Sequence, residues 1–268
     1  METPLFSIIT ICFNSEKTIE RTIKSVLAQT YTDYEYIIVD GGSKDNTQDI
    51  IQQYEPLFEG RMKWKSEPDK GIYDAMNKGI ARSTGVVIGI VNSDDWLQPD
   101  ALKIVADCYN VQDKSCTSIC CGWMNFHYAN GTVQVLKTDE NQLAHKAQTF
   151  EMGGVRHPAT FVPKQIYNEQ GTFDIRLKIL ADTDLIVRLY KAGIKFIFPN
   201  KVLTNMSDGG VSNKSLMKAC NDYSMILRKN GIKGLKYARM YYLWRIKRFL
   251  KGHMPTALLA YYRNKSKV

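Results

Sequence analysis

The sequence predicts an α/β protein with a largely parallel sheet wrapped by helices, followed by a basic helical extension. Three observations carry that expectation. Strand-like apolar runs alternate with segments of helical period over roughly the first hundred residues. Polar, acidic or glycine-bearing clusters fall directly after the first, second and fourth of those runs, where parallel sheets bind ligands. Apolar residues make up 44% of the 268-residue chain, enough for a substantial core.

Phe6 to Cys12 is rich in β-branched residues and reads as a buried strand. Asn14-Ser15 then opens a helix, with Ser15 as N-cap and Ile19, Ile23, Val26 and Leu27 at helical spacing. Tyr36 to Val39 is a second strand, closed by Asp40-Gly41-Gly42-Ser43, and Asp45 or Asn46 caps the helix through Ile50, Ile51 and Tyr54. Lys63 to Ser66 is a short third strand. The loop Glu67 to Gly71 leads into a helix from about Tyr73 to Arg82. Gly85 punctuates the chain before a fourth strand, Val86 to Val91, which ends at Asn92-Ser93-Asp94-Asp95. Asp100 to Tyr109 is helical. Farther on, Ser118 to Cys121, Thr132 to Leu136, a stretch beginning at Phe161-Val162, and Lys195 to Phe198 read as strands, and Asp182 to Ala192 as a helix.

The formal net charge is +9, unevenly spread. From Asn213 to the end stand 14 Lys and Arg against one acid, Asp222, so the first 212 residues hold the other 22 bases and 26 acids. A mildly acidic body with a basic tail suggests that the tail meets an anionic surface. On a helical wheel Leu235, Ala238, Tyr242, Ile246 and Phe249 share one face, and Lys233, Lys236, Lys247, Arg248 and Lys251 fall mostly on the other. That pattern fits an interfacial helix with Tyr242 and Trp244 at headgroup level, or a helix packed on the body with solvated lysines. Six cysteines without a C-x-x-C pair fit buried free thiols in a reducing cytosol. The residues before Leu5 are acidic, and no run nears the ~18 apolar residues of a membrane span. The expectation is a cytoplasmic protein able to lie on a membrane without crossing it.

Asn92-Ser93-Asp94-Asp95-Trp96 is the strongest local signal for chemistry. Adjacent carboxylates at a strand end repel each other, and a hard divalent cation relieves that repulsion while keeping open positions for phosphate oxygens. The alternative is that Asp95 caps the next helix and Asp94 is a solvated turn residue. Asp40-Gly41-Gly42-Ser43 is either an ordinary turn or a loop whose carboxylate accepts from a base edge or ribose while its glycines admit a ligand closely. The stretch Glu67 to Gly79, with Asp69 and Asn77, is either a capped, solvated helix or a helix N-terminus suited to sugar hydroxyls and phosphates. Asp182 and Asp184 favour the positive end of an amphipathic helix, or one of them deprotonates an acceptor hydroxyl. His157 is one of four histidines, which form no metal-type cluster.

Taken together and in order, SIITICFN, SVLAQTYTDYEYIIVDGGSKDNT, DKGIYDAMNKGIARSTGVVIGIVNSDDW and LADTDLIVRLYKAG resemble the family 2 glycosyltransferases. The resemblance runs from Leu5 to Phe198. It implies the GT-A fold, a Rossmann-like, mostly parallel central sheet flanked by helices, over residues 1–212, with the basic helical extension over 213–268. It implies an inverting transfer of sugar from a nucleotide-sugar donor, commonly a UDP-sugar, to a hydroxyl of a glycan or lipid-linked saccharide in cell-surface polysaccharide synthesis, with Mg2+ or Mn2+ bound. By the same resemblance Thr10 and Asn14 line the nucleotide pocket, and Asp40, in the loop with Gly42 and Ser43, reads the base. Asp69 sits near the ribose or donor sugar, and Asp94 is the metal ligand with Asn92 and Asp95 beside it. Asp182 is the general base, and His157 lies on the acceptor side. Three residues depart from the family pattern. Asn92 replaces the first acid of D-x-D, and Ala181 replaces the Glu before the base, leaving Asp184 as an alternate base. Met76 stands where an Arg often contacts the diphosphate. Two other readings stay open: a sugar nucleotidyltransferase, although Phe13 to Lys17 lacks the glycine-rich loop of such enzymes, and a non-catalytic binder of nucleotide sugars or anionic surfaces. Nucleic acid is not an expected partner, because the acidic clusters of the body repel phosphate backbones.

Overall fold

The computed structural model describes residues 3–109, 116–151, 155–208 and 215–253. In chain order the elements are β1 (Phe6–Cys12), α1 (Ile19–Leu27), β2 (Tyr34–Asp40), α2 (Thr47–Tyr54), β3 (Met62–Ser66), α3 (Ile72–Arg82), β4 (Val87–Ile90), β5 (Asp95–Leu97), α4 (Ala101–Asp107), β6 (Ile119–Cys121), β7 (Trp123–His127), β8 (Val133–Leu136), α5 (Glu140–Thr149), β9 (Thr160–Pro163), α6 (Lys164–Gln170), α7 (Ala181–Lys191), β10 (Phe196–Ile197), β11 (Val202–Ser207), α8 (Leu216–Lys229) and α9 (Gly234–His253).

Seven strands form the central sheet in the order β10-β6-β9-β4-β1-β2-β3. Its pairs are parallel except at β9, which runs antiparallel between β4 and β6. A second sheet, β5-β11-β7-β8, stands beside it. β1, β2 and β4 are buried along their whole length, which is why their sequences read as mainly apolar runs. Side chains alternate along each strand, so one strand feeds two cores. Ile9, Ile11, Ile37 and Val39 pack with α3, α7 and α8, while Ile8, Cys12, Tyr36 and Ile38 pack with α1, α2 and α4.

The basic region is part of this packing. The boundary expected near residue 212 lies outside the described residues, but α8 buries Ala219, Cys220, Tyr223, Ile226 and Leu227 in the core that also holds Leu185 and Leu189 of α7. α9 then lies on α8: Trp244 stacks on Tyr223 at 4.5 Å between ring centroids, and the Tyr237 and Ser224 hydroxyls are 2.8 Å apart. Trp244 is therefore buried in the protein, as the packed-helix alternative expects, while Tyr242 stays exposed. The opposite face of α9 leaves Leu235, Tyr242, Leu243, Ile246, Phe249 and Leu250 exposed. The side chain of Lys251 lies outside the described residues.

Most strand and helix expectations hold within a residue or two. Ser15 is a correction: α1 begins at Ile19 with Thr18 at the N-cap position. The Ser15 carbonyl accepts the N–H groups of Thr18 and Ile19, which frees its hydroxyl for Ser93. β5, β7, β11, α5 and α6 were not anticipated. All six cysteines are free, five of them buried. Among the described residues no helix is long and apolar enough to cross a membrane.

Candidate active site

The carboxyl ends of β1, β2, β3 and β4 meet at one edge of the sheet, and hydrogen bonds tie their loops together. Asn14 takes a left-handed backbone, φ 48°, which Asn tolerates better than most residues. Its N–H donates to Ser43 Oγ at 2.8 Å, and its Oδ1 accepts from the Lys44 N–H at 2.9 Å. Asp40 is fully buried, and its carboxylate accepts from the Gly42 N–H, the Ser43 N–H and hydroxyl, and Ser66 Oγ. Its hydrogen-bonding capacity thus goes into ordering its own loop. A Cβ on Gly41 would lie 2.5 Å from Asp69 Oδ2, so the absent side chain is what lets Asp69 pack on this loop. Asp69 in turn accepts the Gly71 N–H at 2.7 Å, just before α3. Thr10 lies beneath this surface, wholly buried, accepting the Tyr36 hydroxyl at 2.9 Å.

The acidic turn after β4 is pinned from α1. Thr22 Oγ1 donates to the Asp95 carbonyl at 2.6 Å, and Arg21 Nη2 donates to the Asp94 carbonyl and to Ser207 Oγ, each at 2.9 Å. The Arg21 guanidinium also lies 3.7 Å from the Trp96 ring centroid. Ser15 Oγ and Ser93 Oγ are 2.8 Å apart, joining this turn to the end of β1. Asp95 is the first residue of β5 and pairs with Met206. The N-cap position of α4 belongs to Asp100, so Asp95 is not the helix cap that sequence left open. Burial, then the neighbouring Asp94, pushes the Asp95 carboxyl well above its usual range, against Asn92 and Arg21. Asn92 Oδ1 and Asp95 Oδ1 are buried without a hydrogen-bond partner. Orphaned oxygens of this kind beside another carboxylate are a donor set that fits a hard divalent cation. No group of three or more His, Cys, Asp or Glu gathers among the described residues, so the protein would supply few of such a cation's ligands.

Asp182 stands in the first turn of α7. It lines a small, half-open cleft of about 30 Å3 together with His157, Lys146, Glu151 and Thr183. Burial pushes its carboxyl up to about 6, while the Thr183 N–H at 2.7 Å and the nearby Tyr73 hydroxyl restrain the rise. A carboxyl so placed is ionised at neutral pH yet more basic than an exposed Asp, which suits proton removal. Burial also lowers His157 to about 4, keeping its imidazole neutral, edge-on to Phe173 at 5.5 Å. Asn77 uses both ends of its amide on the Phe173 backbone, at 2.9 and 3.0 Å, and so holds the loop that carries that ring. Asp184 is 1% exposed and paired with Arg188 and Lys229 at 3.3 and 3.0 Å, which leaves it no part in the cleft. Met76 is core.

Asn14, Gly42 and Asp69 thus share one surface with Asp40 and Ser43 buried just beneath it, linked through Ser15 and Ser93 to the turn of Asn92, Asp94 and Asp95. His157 and Asp182 share the cleft. Three neighbours escaped sequence reasoning: Phe13, 59% exposed beside Gly41; Arg21 under the acidic turn; and Tyr73, whose hydroxyl donates to the Ile179 carbonyl at 2.8 Å. An aromatic directly after a strand end was a usable signal for Phe13. Arg21 and Asp94 are 73 positions apart, and nothing local joins them.

Residues 7–169 match the model of "Glycosyl transferase family 2". A PGL/p-HBAD biosynthesis glycosyltransferase of Mycobacterium tuberculosis is 28% identical over 219 residues, 80% of this chain and 81% of that protein. Staphylococcus aureus TarS residues 1–349 in complex with UDP-GlcNAc superpose with TM-score 0.67 at 17% identity, covering 92% of this chain and 72% of that one. This chain spans 43% of the longer TarS structure. A Pyrobaculum calidifontis mannosyltransferase in complex with GDP-Man and Mn2+ superposes with TM-score 0.65 at 12% identity, covering 99% and 80%. At these identities the structural likeness speaks for the GT-A fold.

Proposed function

Since the chain belongs to glycosyl transferase family 2, we propose that it transfers a sugar, with inversion, from a nucleotide-sugar donor to a hydroxyl of a glycan or lipid-linked saccharide. The observation that carries this reading is the Asp182 carboxyl, raised to about 6 at the start of α7, where it lines a small cleft beside His157. Asp182 takes the proton from the acceptor hydroxyl as that oxygen attacks the anomeric carbon, and the nucleoside diphosphate leaves. His157, neutral at working pH, offers the acceptor a hydrogen bond without adding charge. The exposed Phe13 ring and the loop of Gly42 and Ser43 hold the base, with Asp40 fixing that loop from below. Asp69 and the backbone entering α3 meet the ribose and donor sugar.

Asp94, with Asn92 and Asp95, would hold Mg2+ or Mn2+, whose charge offsets that of the departing diphosphate. The orphaned oxygens of Asn92 and Asp95 support that assignment. Arg21, fixed over Trp96, keeps the turn in place by gripping the Asp94 carbonyl. A UDP-sugar is the donor to try first, because a structural neighbour is a complex with UDP-GlcNAc.

The decisive assay incubates the protein with nucleotide sugars, manganese and saccharide acceptors and identifies the leaving group. Release of nucleoside diphosphate with an inverted linkage is expected. Release of inorganic pyrophosphate would turn the reading toward a nucleotidyltransferase.

A lipid-linked acceptor would keep the enzyme on the cytoplasmic face of the inner membrane. The outer face of α9 supports that placement: Leu235, Tyr242, Ile246 and Phe249 are exposed, with Lys236, Arg245 and Lys247 along the same helix. Anionic lipid adds about 1 kcal/mol per basic residue near its surface. Full-length protein is expected to float with vesicles containing anionic lipid and to lose that flotation on the double change Ile246→Glu and Phe249→Glu. Equal flotation of the two forms would remove α9 from the role.

A further inference from the structure

We infer that Asp222, on α8, is a positioning residue that sets the place and surroundings of the base Asp182; the inference rests on Asp182 being that base. Asp222 is the one acid in the sequence from Asn213 onward, and it is 3% exposed. Its Oδ2 accepts three consecutive backbone N–H groups, from Lys178 at 2.8 Å, Ile179 at 2.6 Å and Leu180 at 3.0 Å. Leu180 is the N-cap position of α7 and has no side-chain cap of its own. A carboxylate more than forty positions downstream therefore takes over the work of a local cap and meets the positive end of the helix. Asp182 follows two residues after the last of the three amides.

Independent contacts close on the same short segment. The Tyr73 hydroxyl donates to the Ile179 carbonyl at 2.8 Å. Burial, Asp182 and Asp222 all raise that hydroxyl, which keeps it a proton donor beside the base. Lower on the same helix, Lys229 of α8 pairs with Asp184 at 3.0 Å. α8 thus grips α7 at its start through Asp222 and one turn in through Lys229. The start is where a shift would move Asp182 and admit water around it. Water access would lower the proton affinity that burial raised. An error of about 1 Å in the place of a catalytic group is enough to cost ~100-fold in rate.

The test uses the full chain carrying Asp222→Asn, with Lys229→Met as a control that loosens α8 elsewhere on α7. For Asp222→Asn, kcat should fall roughly 10- to 100-fold. The acid limb of the kcat/KM profile should move from near pH 6 toward the ordinary aspartate range, while donor affinity by calorimetry stays unchanged. Lys229→Met should lower the melting temperature without moving that limb. If Asp222→Asn does not fold, Asp222→Glu, which keeps the carboxylate but shifts it by one methylene, is measured the same way. A variant that melts lower yet keeps the parental kcat and acid limb would overturn the inference. Near-normal turnover in Asp182→Asn would instead overturn the assignment of the base on which it rests.

Discussion

Glu35, at the amino end of the mainly parallel sheet, and the acids Asp95 and Asp182, near its carboxyl end, are buried carboxylates treated in opposite ways. At the amino end Glu35, 5% exposed, accepts from Ser7 Oγ at 2.7 Å, from the Thr84 N–H at 2.5 Å and hydroxyl at 2.8 Å, and pairs with Lys63 at 3.0 Å. Burial alone would raise its carboxyl, but these partners hold it down at about 2. Near the carboxyl end Asp40 is satisfied by its own loop, but at Asp182 and Asp95 burial wins: Asp182 rises to about 6 and Asp95 goes well above its usual range. The first arrangement stabilises the fold by satisfying a charge. The second leaves charge under-satisfied, a state that a ligand or a reacting proton relieves.

The strongest test of that contrast is Asp182→Asn. Turnover should drop roughly 10²–10⁴-fold, the range for loss of a general base. The folded Asp182 carboxyl stays protonated up to about pH 6 and the ordinary carboxyl only to 3.8, so its contribution to stability falls as pH rises through that window. At pH 7.5 the variant should therefore melt higher than the parent, by about 2–4 °C for each kcal/mol relieved, and the gain should vanish below about pH 4. Calorimetry at the two pH values checks it; a lower melting point at pH 7.5 would break the comparison.

Glu35→Gln is the mirror experiment. It should cost about 2 kcal/mol, a melting point roughly 4–8 °C lower at neutral pH, with turnover at 25 °C unchanged. The parent should lose that same increment as pH falls from 4.5 toward 2, because protonation removes the charge its partners satisfy. A smaller effect is expected at the rim of the site. Phe13→Ala should weaken nucleotide binding by about 1 kcal/mol, near fivefold, with no change in melting point, since the ring is 59% exposed. Titration calorimetry with UDP reads it directly, and an unchanged affinity would take Phe13 out of the base pocket.

Much of the fold was legible because β1, β2 and β4 are mostly apolar and buried along their length and α1 and α7 keep a clear helical period. β7 and β11 escaped because they mix polar and apolar residues, and each is a strand only through its partner: Asn205 is held by Trp96 of β5 and by Asn125 and His127 of β7. The candidate site divides the same way. Asp94 and Asp182 stood out as acids at a strand end and a helix start. Asp40 stood out too, but only its neighbours Ser43 and Ser66 reveal that its carboxylate orders its own loop.

What the sequence determined by itself was the alternation of strands and helices, and with it the edge of the sheet where polar residues collect, because periodicity and turn chemistry act over a few residues. What only the tertiary structure decided was the state of each acid. A carboxyl's proton affinity depends on burial and on partners brought from far along the chain, as Asp222 reaches back to Leu180 and Ser7 and Thr84 converge on Glu35. Sequence leaves the basic tail open between a surface-binding extension and a helix packed on the body for the same reason: its charge is visible in composition, but the packing of α8 against α7 exists only once the chain has folded.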